Sequence, residues 1–69
     1  MMVEVFKTNV KEVAESEILI QLLLKHYPNS KINFDLEDCD RILRIAEHNV
    51  VPEHVVKLLA SNGYTCEIL

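Results

Sequence analysis

Along this chain the spacing of apolar residues changes from period two to a helical period and back, twice over. That order of periods leaves few folds open. Val3-Glu4-Val5-Phe6-Lys7-Thr8 alternates and is rich in strand formers, so it predicts a first strand. From Lys11 to His26 the spacing turns helical. Ala14, Ile18 and Leu22 form one row there, and Leu19 with Leu23 widens it. Glu12, Glu15 and Glu17 come early and Lys25 and His26 late, as a helix dipole favours. Pro28 and Asn29 stop that helix. Ile32, Phe34 and Leu36 alternate with Asn33 and Asp35 in a second strand, and Leu43 and Ile45 flank Arg44 in a third. The short acidic turn between them predicts an antiparallel hairpin. Pro52 opens a second helix whose inner stripe is Val55, Val56, Leu59 and Ala60. Gly63 ends it in the left-handed conformation, and Tyr64 to Leu69 forms the last strand.

The element order is therefore β-α-β-β-α-β. With right-handed crossovers it predicts an α+β, ferredoxin-like sandwich. Its four-stranded antiparallel sheet runs in the order 4-1-3-2, with both helices on one face. The whole chain, residues 1–69, reads as one domain, small but 49% hydrophobic and so able to build a core. This topology brings TNVKEV, LEDCD and SNGY to one pole, and His26, His48 and His54 to the other.

Charge and composition exclude several functions. A formal charge of -4 argues against nucleic acid, which needs clustered cations, and against an anionic membrane surface. RNA-recognition domains share the topology but carry aromatic residues on the third strand, where this chain has Arg41-Ile42-Leu43-Arg44-Ile45. The longest apolar run, Ile18 to Leu24, is too short to cross a membrane. The N-terminus lacks the basic start of a signal peptide, so the two cysteines, Cys39 and Cys66, are expected as thiols in the cytoplasm. With one glycine there is no phosphate cradle, and no nucleophile stands beside a base. The chain is expected not to be an enzyme and to need no cofactor.

The stretch VVPEHVVKLLASNGYTCEIL, with the partial match KINFDLED, resembles the heavy-metal-associated domains of copper chaperones and metal-pumping ATPases. The resemblance implies a Gly-Met-x-Cys-x-x-Cys motif after the first strand. Here the two cysteine positions are held by Val10 and Val13, or, one residue along, by Lys11 and Ala14. Copper(I) is soft and needs thiolates. What remains is a non-catalytic interaction module, binding another protein or itself, on a scaffold that has lost its copper ligands. The alternative is a metal binder that uses the acidic turn (Asp35, Glu37, Asp38, Asp40), the histidines or Cys39. Phe6 and Ile42 are expected together on the open face of the sheet. With Val10, Lys11, Cys39 and Tyr64 they make up the expected interaction surface. Cys66 is expected in the core.

Overall fold

The computed structural model describes residues 2–69. Strand β1 (Val3–Thr8) leads into helix α1 (Val13–His26). Strands β2 (Lys31–Asp35) and β3 (Ile42–Ala46) follow, then helix α2 (Pro52–Ser61) and strand β4 (Cys66–Ile68). All pairings are antiparallel and the sheet order is β2-β3-β1-β4, the expected order read from the other edge. Pro52 is the first residue of α2, and Gly63 takes φ 88° just beyond the end of that helix. A side chain there would be strained whatever space it had.

The registers fix which face each strand residue serves. Phe34, Leu43, Phe6 and Ile68 stand opposite one another across all four strands. Phe6, Leu43 and Ile45 are fully buried against Leu19 and Leu23 of α1 and Val55 and Leu59 of α2. Cys66 joins this core, as expected.

Phe6 is therefore in the core, not on the open face with Ile42. The alternation of β1 is real but of opposite phase to the expectation. Phe6 and Thr8 turn inward, while Val3 and Val5 turn out. Two reasons favour that phase. A phenyl ring removes more apolar area from water than a valine. The inward Thr8 hydroxyl also finds buried partners, donating to the Arg41 carbonyl at 2.6 Å. Ile42 does lie on the open face, in the row of Asp35, yet it is only 7% exposed.

The stripe of α1 is also displaced. Ser16, Leu19 and Leu23 are buried, whereas Ala14 is exposed and Ile18 is 69% exposed. Ser16 tolerates burial because its hydroxyl donates to the Val13 carbonyl at 2.7 Å. In α2, Val55 and Leu59 are buried as expected, Val56 is half-buried, and Ala60 is exposed. Among the described residues no helix is long and apolar enough to cross a membrane.

Candidate functional site

The end of β1, the β2–β3 turn, the start of α1 and the start of β4 meet at one pole, and hydrogen bonds join them. The backbone N–H of Thr8 donates to the Asp40 carbonyl at 3.0 Å. The Thr8 hydroxyl, already bonded to Arg41, accepts the N–H of Val10 at 3.3 Å. Asn9 Oδ1 accepts the N–H of Thr65 at 2.9 Å. Lys7 lies 3.7 Å from an Asp40 oxygen across an exposed ion pair.

Glu15 completes the set. One carboxylate oxygen accepts the N–H of Glu12 at 3.2 Å, and the other accepts the Tyr64 hydroxyl at 2.9 Å. The first bond closes the N-terminus of α1 in the manner of a capping box. The second ties that helix to the segment leaving α2. The Tyr64 hydroxyl, then the Glu12 N–H, hold the Glu15 carboxyl below its ordinary range, and the same bond raises the Tyr64 phenol.

Within this frame the expected surface residues separate. Val10 is fully buried in the core and cannot present anything to a ligand or partner. Lys11 and Ala14 are exposed, and Val13 is 64% exposed. The pair Val10 and Val13 thus divides between core and solvent, whereas Lys11 and Ala14 both face outward. Tyr64 is half-buried at the rim. Cys39 is exposed in the turn that Asp40 holds against Thr8, so it belongs to the same pole. Phe6 lies beneath the pole, and Ile42 faces the other side of the sheet.

The two thiols differ. Burial, and secondarily the Glu67 carboxylate, pushes the Cys66 thiol up to about 11. It stays protonated at neutral pH and offers no thiolate. Cys39 approaches an Asp40 oxygen at 3.9 Å. Ligand atoms of Asp38, Cys39 and Asp40 lie within 4.8 Å of one another. Both carboxylates already have protein partners: Asp38 accepts the N–H of Asp40 at 2.8 Å, and Asp40 faces Lys7.

At the opposite pole His26 and His54 meet edge to face, with ring centroids 5.2 Å apart. His54 Nδ1 shares a 2.8 Å hydrogen bond with the hydroxyl of Tyr27, which also accepts the N–H of Val51 at 3.4 Å. Tyr27 was not singled out in the sequence. Its signal was its position directly before Pro28, where the last turn of α1 delivers an amphipathic ring to the core. Val13, marked in the sequence only as a motif position, was not expected in the exposed surface, yet it is 64% exposed.

Compared with protein-family models, with curated proteins and with solved structures, the chain matches none.

Proposed function

We propose that this chain is a non-catalytic binding module on a heavy-metal-associated-like scaffold, docking a partner protein through its β1–α1 pole without a metal. The observation that carries this reading is the outward pair Lys11 and Ala14 beside the exposed Val13, where a metal-carrying relative would hold two thiols. A cation, a small side chain and an apolar side chain offer no soft ligand. They do offer the mixed surface that protein interfaces use. The hydrogen bonds among Thr8, Asn9, Glu12, Glu15 and Tyr64 hold that surface before a partner arrives, which lowers the ordering cost of docking. Cys39 and Tyr64 form its rim. The two free thiols suit a reducing compartment, the cytoplasm.

The test is affinity capture with the parent, with Lys11→Glu and Val13→Asp, and with Val3→Asp as a control. Val3 is also exposed but faces away on the open side of the sheet. A specific partner should be lost with both pole variants and kept with the control. Equal capture by all four proteins contradicts the reading.

A further inference from the structure

The β2 edge of the sheet adjoins the pole face only at Val13, which also lines the groove beside β2, and Lys11 takes no part in it. Among the described residues β2 pairs with β3 alone, so it is an edge. In an antiparallel ladder alternate residues turn their N–H and C=O groups toward and away from the neighbour. Half of the β2 backbone groups therefore point outward with no strand to meet them. Natural edges are protected by shortness, proline, bulges or charged side chains, and of these β2 carries only its terminal Lys31 and Asp35. β4, the other edge, is three residues long. β2 has five residues, no proline and an unbroken register from Lys31 to Asp35. Beside it runs an open groove of about 500 Å³ between α1 and β2, whose apolar lining includes Val13, Ile20, Ile32 and Phe34.

The edge sequence Lys31-Ile32-Asn33-Phe34-Asp35 is its own complement when a second copy runs antiparallel to it. Centred on Asn33, the pairing sets Lys31 against Asp35 of the second copy and Ile32 against Phe34 of the second copy. Asn33 meets its own equivalent. The faces agree as well. Asn33 stands beside Arg44 and Asp35 beside Ile42 on the open side, so both Lys31–Asp35 pairs lie there. Ile32 and Phe34 turn to the helix side, beneath the groove. A register moved by two residues keeps the faces but leaves strand ends unpaired and brings no Lys31 against Asp35. A register moved by one mismatches the faces. The charges and the apolar residues thus select the same register.

We infer that two copies of this chain associate through β2 across a two-fold axis normal to the sheet, joining their sheets into one of eight strands. Such a contact is isologous, so each favourable pair occurs twice. It satisfies the outward backbone groups of both edges and brings the Ile20 and Val13 side of each α1 over the junction.

The test is a concentration series by light scattering on the intact chain. It includes Lys31→Asp, Asp35→Lys, the double swap and an equimolar mixture of the two single variants. Circular dichroism serves as a check of folding. The parent should dimerise. Each single variant places like charges opposite each other twice and should dimerise about tenfold more weakly or worse. The double swap should recover, and the mixture should form a heterodimer, because one variant then supplies only acidic ends and the other only basic ends. That last readout remains decisive if the double swap folds poorly. A parent that stays monomeric to about 1 mM, the concentration of a weak complex, overturns the inference. So do single variants that dimerise like the parent. A monomeric parent that still loses its partner on Lys11→Glu would leave the pole reading intact.

Discussion

The two poles of the molecule are tied by the same device and differ in where it sits. At the loop pole the Tyr64 hydroxyl reaches the Glu15 carboxylate, joining the end of α2 to the start of α1 at a wet rim. At the histidine pole the Tyr27 hydroxyl reaches His54 and the Val51 N–H, joining the end of α1 to the start of α2. Tyr27 is only 7% exposed and belongs to the core. One pole is thus fastened mainly through buried packing. The other is fastened by polar bonds that leave its outer side chains available. The docking proposed for the loop pole would rely on the second kind of fastening: a fixed backbone under side chains that are not themselves consumed by the core.

The largest expected effect tests the floor on which both poles stand. Phe6→Asp should unfold the protein, because an unpaired charge would enter the centre of the core, at a cost of about 4 kcal/mol or more. Val5→Asp should stay folded and lose about 1 kcal/mol, since Val5 lies on the open side with Arg44 opposite it. Urea unfolding of the two variants decides the phase of β1. Equal losses would mean that the two faces of β1 are not separated as described.

Next comes the buried fastening. Tyr27→Phe keeps the ring but strands the Val51 N–H and the His54 nitrogen, and should cost about 1–2 kcal/mol by urea unfolding. A neutral result would show that water replaces the hydroxyl and that ring packing alone secures this pole.

The wet fastening should matter less to stability but show a pH signature. The Glu15 carboxyl is lowered from 4.5 in the folded protein, so its contribution is present above that value and fades as pH falls through the folded value. The Tyr64 phenol is raised above 10.0, so its share persists below that pH and fades as the solution becomes more alkaline. Tyr64→Phe should therefore destabilise less than Tyr27→Phe and flatten the acid limb of the stability profile below pH 4.5. Parallel profiles for parent and variant would mean that this bond carries no weight.

Element order, sheet order and the meeting of the loop segments at one pole were all legible in the sequence, because alternation and turn chemistry are local signals. The phase of β1 was not. Val3 and Val5 compete with Phe6 on opposite faces, and the contest is settled by long-range partners such as the Arg41 carbonyl that receives Thr8. The stripe of α1 failed for a related reason. Leu19, Ile20, Leu22, Leu23 and Leu24 surround most of its girth, so periodicity alone selects no single side. At the site, which loop residues face outward was not legible. The outward position of Lys11 and Ala14 goes with the burial of Val10, which depends on how the chain leaves β1 and is not a property of the loop's own residues.

The same contrast frames the test of the proposed reading, in which the pole is a metal-carrying geometry emptied of ligands and kept as a surface. The parent and Lys11→Cys with Ala14→Cys would be titrated with copper(I) against a competing chelator, with Val10→Cys and Val13→Cys alongside. The parent should hold no more copper than any protein with two separate thiols. The Lys11 and Ala14 variant should gain about one copper per chain, because both new thiols would face outward near a helix N-terminus that favours thiolates. The Val10 and Val13 variant should gain less, with one thiol buried. Stoichiometric binding by the parent, or no gain by a folded Lys11 and Ala14 variant, would contradict the claim.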